Sequence, residues 1–137
     1  MDKVFNQLSI ICGIIGGILC SFLGGYDKIL KALMVLAALD YATGFLKGIA
    51  TKTLSSHIGF IGIIRKIVIF IVVGTAVVIQ GVVGDAIPLR EITIVFYICN
   101  EGISLLENAS EFIPLPQKLK DTLIQLREKE EQKDEDQ

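Results

Sequence analysis

Two carboxylates, Asp40 and Glu101, lie in the middle of long apolar stretches. Paired carboxylates are raw material for general acid–base chemistry when a nucleophile, a base or a metal gathers around them. Nothing of that kind accompanies them. The chain has no GxGxxG, no Walker lysine motif, no HExxH and no GxSxG. Its three cysteines, Cys12, Cys20 and Cys99, stand singly in apolar runs, without CxxC spacing or clustered histidines, so neither a metal nor a cofactor is expected. What does accompany Glu101 is a polar series. Asn100, Glu101, Ser104, Asn108 and Glu111 recur at three- and four-residue steps, which places them along one face of a helix. In lipid, a charge at the midplane costs at least ~2.5–3.5 kcal/mol. Each acid must then be protonated, hydrogen-bonded to groups such as Thr43 or Asn100, or turned to water. The chemistry on offer is ionisation and hydration rather than catalysis. Asp40, Asn100, Glu101, Ser104 and Asn108 are candidates to line a water-filled path. The competing reading is a buried polar contact that locks helices together.

The elements that carry these residues read as membrane spans. Ile67 to Gly84 is an unbroken run of 18 uncharged residues, preceded by Arg65-Lys66. That is the length at which a span becomes the default, and a chain this short could not enclose such a helix in a soluble core. Val4 to Tyr26 is also free of charge. Gly13, Gly17, Cys20 and Gly24 repeat along one of its faces, with Gly13 and Gly17 as a GxxxG pair suited to close helix contact. Ile29 to Ala50 follows, carrying Asp40 near its middle and a second GxxxG at Gly44 and Gly48. Thr51 to Gly59, with the single histidine His57, reads as a polar loop, and Asp85 to Arg90 as a turn broken by Pro88. Ile92 to Ala109 is the least apolar span. It either crosses with its polar stripe turned inward or lies in the interface. Beyond Pro114-Leu115-Pro116, Leu119, Leu123 and Leu126 form a short amphipathic helix. The final EKEEQKDEDQ has no apolar content and is assigned to disorder.

The expected fold is therefore all-α. An integral membrane domain occupies residues 1–113, with about four spans at 4–26, 29–50, 61–84 and 92–109. Residues 114–137 form a cytoplasmic amphipathic helix and charged tail. Composition agrees: 52% of the 137 residues are hydrophobic and the mean hydropathy is +0.62, high for a soluble domain. The net charge of −2 excludes a nucleic-acid footprint. Basic residues concentrate around the second loop, at Lys47, Lys52, Arg65 and Lys66, and in the tail. By the positive-inside rule both termini then face the cytoplasm. No signal-peptide pattern is expected at the N-terminus. On this layout Arg65, Lys66 and Lys47 lie toward the cytoplasmic edge, out of easy reach of Asp40 and Glu101. Glu107 is the expected ion-pair partner of Arg65 or Lys66.

Several stretches, in this order, resemble the bacteriophage holin family of the toxin-secretion and phage-lysis type, from Gram-positive phages and clostridia. They are Leu39-Asp40-Tyr41-Ala42-Thr43-Gly44, Gly62-Ile63-Ile64-Arg65-Lys66, Phe96-Tyr97-Ile98-Cys99-Asn100-Glu101-Gly102, Leu105-Leu106-Glu107-Asn108 and Ile113-Pro114-Leu115-Pro116. The resemblance runs from about Ile29 to Leu126. It implies a homo-oligomer in the cytoplasmic membrane that opens lesions and passes an endolysin or a large toxin. The residues by themselves leave two alternatives open, a small non-lytic ion or solute channel subunit and a membrane scaffold.

Overall fold

The computed structural model describes residues 1–135. It contains five helices: α1 (Asp2–Phe22), α2 (Lys28–Ala50), α3 (Ser56–Val83), α4 (Leu89–Ala109) and α5 (Gln117–Glu135). Each boundary has a local cause. The run Leu23 to Tyr26 ends α1 with Gly24 and Gly25 at positive φ, 81° and 101°, a conformation glycine adopts without Cβ strain. Asp27 then caps α2, its carboxylate accepting from the Leu30 amide at 3.0 Å. Ser55 caps α3 in the same way, accepting from Ile58 N–H at 3.2 Å. That cap starts α3 at Ser56, five residues ahead of the expected span, and puts His57 in its first turn rather than in a loop. Pro88 precedes α4, where its missing amide proton is no loss.

α4 is the hub, packed against α2, α3 and α5, whereas α2 and α3 touch each other only sparsely. The core is small: Leu23, Leu30, Leu33, Ile69, Val73 and Ile94. α1 contributes no buried residue of its own and meets the bundle at its end, where the Phe22 ring lies over Gly74. A side chain at position 74 would displace that ring.

α1, α2 and α3 are each long and apolar enough to cross a bilayer. Their outward faces carry Ile14, Ile18, Leu46, Ile67, Ile71 and Val78, all exposed. An apolar surface of that extent fits lipid and not water. α4 has the length, 21 residues or about 31 Å, but its polar residues keep it from matching the other three in apolarity. It is also the best-enclosed helix. α5 extends to Glu135, well into the run that composition assigns to disorder. Glu, Lys and Gln are strong helix formers, and this intrinsic preference accounts for the continuation in the absence of apolar content. Residues 136–137 of that run lie outside the described residues.

Candidate functional site

Three helices each bring one charged side chain to a common level. Lys66 is ten residues into α3, Asp40 ten residues before the end of α2, and Glu101 eight before the end of α4. At 1.5 Å per residue all three sit about 12–15 Å in from the same end of the bundle. The Lys66 ammonium bridges the two carboxylates, donating to Asp40 Oδ2 and to Glu101 Oε2. Asp40 and Glu101 retain only 8% and 6% of their surface. Asn108, also on α4, completes the cluster. Its amide donates to Asp40 Oδ1 at 3.1 Å, to the Asp40 carbonyl at 3.3 Å and to Thr43 Oγ1 at 3.3 Å. Gly44 lies beside it, and a Cβ there would meet the Asn108 amide nitrogen at 3.4 Å, an ordinary contact distance.

This differs from the sequence expectation, and the reason is geometric. Reading α3 from about residue 61 put Lys66 at the edge of the membrane. The Ser55 cap lengthens α3 by more than a turn, and Lys66 becomes level with both acids. Glu107, the expected partner for Arg65 or Lys66, instead pairs with Lys120 of α5 at 3.2 Å. Arg65 is exposed and lines a cleft. The signal available in the sequence was that Lys66 has no acid three or four positions away on its own helix, while Asp40 and Glu101 have no base on theirs.

Two carboxylates share one ammonium, so the cluster carries an excess negative charge when fully ionised. Breaking such a buried arrangement from one side costs on the order of 3–5 kcal/mol, because an uncompensated charge remains. The cluster forms the floor of a cleft of about 750 Å³ between α2, α3 and α4, with Tyr41, Phe45, Ile58, Ile61 and Ser104 among its walls. Tyr41 holds the cleft's upper wall by donating to the Gly59 carbonyl at 3.3 Å. Among the described residues, no grouping of three or more His, Cys, Asp or Glu is arranged to hold a metal.

The polar stripe of α4 is thus split between two neighbours. Glu101, Ser104 and Asn108 turn toward α2 and the cleft. Asn100 and Glu107 turn toward α5, where Asn100 accepts from Arg127 at 3.3 Å. Glu111 pairs with Lys47 at 3.2 Å on the surface. Of the two glycine pairs, Gly44 and Gly48 are used inside the protomer, Gly44 against Asn108 and Gly48 beneath Leu54. Gly13 and Gly17 have no described atom within reach of an added Cβ.

A second ionic cluster stands at the opposite end of the bundle, and it was not anticipated. Arg90 is buried, with 6% of its surface exposed. Its guanidinium donates to the carbonyls of Leu23 (2.6 Å) and Gly25 (2.9 Å) and, through two nitrogens, to the Asp27 carboxylate at 2.7 and 3.1 Å. The Gln80 side chain accepts from the Arg90 amide at 2.9 Å and donates to Asp85 at 3.1 Å. Arg90 thereby ties the α1–α2 corner to the α3–α4 corner. Its hydrogen bonds hold the Asp27 carboxyl below the usual carboxylate range.

Apolar helices facing outward, with charges paired in the interior, define a small helical membrane protein. A profile of the bacteriophage holin family matches residues 17–128, and the chain belongs to that family. It is similar to an uncharacterized 14.9 kDa protein in the nagH 3' region of Clostridium perfringens, 37% identical over 94% of this chain and 99% of that one. A second uncharacterized protein, from Clostridium perfringens strain 13, is 40% identical over 77% of this chain and 80% of its own length. A probable holin of Bacillus phage phi105 is 33% identical over 84% of this chain and 86% of that protein. No solved structure matches the chain.

Proposed function

We propose that the chain accumulates as a homo-oligomer in the cytoplasmic membrane and opens lesions that release an endolysin or a large toxin. The observation that carries this reading is the family match, which takes in α2, α3 and α4 with the whole Asp40–Lys66–Glu101 cluster. The similarity to a probable phage holin supports it. In this reading the chain crosses four times with both termini inside, and α4 is the fourth span. The unoccupied Gly13 and Gly17 face of α1 serves contacts between copies.

The described protomer corresponds to a closed state. Its two buried acids share the Lys66 ammonium, and the surplus charge faces the cleft rather than lipid. In the open assembly Asn100, Glu101, Ser104 and Asn108 face water, where separate ions carry no burial penalty. Expressing the chain alone in a bacterium tests the reading. Abrupt loss of membrane potential with entry of large dyes and escape of a folded cytoplasmic reporter is expected. Ion leakage that excludes the dyes would indicate a selective channel, and an intact barrier would indicate a scaffold. For topology, a cysteine at Asp85 should react with an impermeant thiol reagent from outside, and one at His57 should not. The reverse pattern overturns the orientation.

A further inference from the structure

The polar residues that the permeation reading assigns to the water path are partly covered inside the protomer, Ser104 standing on the cleft wall, and the two covers over the rest differ in kind. On one side, Glu101 and Asn108 are held by α2 and α3 through the buried Lys66 and Asp40 cluster. On the other side, α5 lies over the half-buried Asn100 and the buried Gly102 and pairs with the exposed Glu107. Leu123 of α5 sits over Gly102, 3.3 Å from where a Cβ would be. Lys120 pairs with Glu107 at 3.2 Å, with both side chains more than a third exposed. Arg127 reaches Asn100 at 3.3 Å, yet its Nε is buried with no hydrogen-bond partner among the described residues. A buried donor left unsatisfied weakens the contact that buries it. The connection from α4 to α5 is short and irregular, with Pro114 and Pro116, and it borders a cavity of about 240 Å³ between the two helices. α5 also keeps Leu119 and Leu126 exposed on its outer side, so its apolar residues are only partly used in this docking.

We infer that α5 is a releasable strap. Docked on α4, it covers Asn100 and Gly102 and holds Glu107 in an ion pair, and its departure is the step that bares this face of α4 in the open assembly. The order of events follows from the two covers. An exposed ion pair, one neutral-acceptor hydrogen bond and an incompletely satisfied arginine separate more readily than a buried three-charge cluster. The strap therefore leaves first, and the cluster rearranges second. This inference rests on the permeation reading.

The test uses the full chain with Cys12, Cys20 and Cys99 replaced by alanine, and with Gly102→Cys and Leu123→Cys added. Expressed in cells, the oxidised, cross-linked form should reach the membrane and admit dye more slowly by about tenfold or more, the effect of a roughly 1.4 kcal/mol bias toward the closed state. Reductant should restore entry. Leu123→Gln, which loosens the docking without a cross-link, should shift permeabilisation earlier. Equal dye entry from the oxidised and reduced forms, or failure of the pair to cross-link in membranes, overturns the strap while leaving the permeation reading intact. Unchanged onset for Leu123→Gln does the same. If the cysteine-free parent, reduced and without the pair, admits no dye at all, the permeation reading itself fails and takes the strap's role with it.

Discussion

The two ionic clusters of this bundle solve different problems. At one end Arg90 is a single side chain that saturates backbone. It satisfies the carbonyls left open at the end of α1 and pairs with Asp27, the residue that also caps α2. Arg90 also has Glu91 at 3.5 Å, but both of its acids are about half exposed, so water rather than a second base takes up the extra charge. At the other end, Lys66, Asp40 and Glu101 join helices side chain to side chain, with one more acid than base, on the floor of a cleft. A cluster that fastens corners has little reason to change. A cluster with surplus charge beside open space gains hydration whenever the helices part. The comparison assigns stability to the Arg90 end and change of state to the Lys66 end.

Arg90→Leu should have the largest effect. It orphans two carbonyls and removes the partner of Asp27, with an expected loss of about 3–5 kcal/mol. Protease resistance of the detergent-solubilised protein measures this. Near wild-type resistance would mean that the corners hold without it. Lys66→Met comes next, at about 3 kcal/mol, the low end of the range for a broken buried cluster, because Asp40 keeps its hydrogen bond from Asn108. The triple variant Asp40→Asn, Lys66→Met, Glu101→Gln sharpens the contrast. Replacing a complete buried ionic set is often close to neutral, so its stability should lie within about 1 kcal/mol of wild type. A triple variant as unstable as Lys66→Met would show that the cluster's charges hold the fold as well.

Acid separates the two ends further. Asp27 has its carboxyl held below the ordinary value of 3.8 by the Arg90 hydrogen bonds, so its contribution is present above that value and is lost as pH falls through the lowered one. Wild type should lose more stability than Asp27→Asn as pH is taken from 5 down through this range, in thermal melts run side by side. Parallel curves would remove Asp27 from the latch. The smallest effect belongs to the surface. Lys120→Ala breaks only a half-exposed pair and should change stability by less than about 1 kcal/mol.

Much of this molecule is written plainly in its sequence. Uncharged runs mark α1 and α3, an apolar stretch broken by Asp40 marks α2, and glycine and proline mark the corners before α2 and α4. The carboxylates Asp40 and Glu101 stand out because apolar neighbours make them costly. Their partner was harder to find, since depth is counted from a helix's start and a serine cap moved that start by more than a turn. Arg90 read only as the end of the turn from Asp85, because two of its acceptors are backbone carbonyls, which leave no mark in a sequence. The division of the α4 stripe between α2 and α5 depends on where α5 docks, and α5 has only Leu119, Leu123, Ile124 and Leu126 to announce an apolar side. Of these, Leu123 and Ile124 face inward and the other two do not.

The assignment of change of state to the Lys66 end is tested most directly by the onset of dye entry in cells expressing the triple variant Asp40→Asn, Lys66→Met, Glu101→Gln, matched to wild type for protein in the membrane. The three neutral side chains keep the packing but gain much less from water than ions do. The account predicts insertion and oligomers as in wild type, with dye entry that begins later or admits only smaller dyes. Wild-type onset together with a wild-type size limit would contradict it.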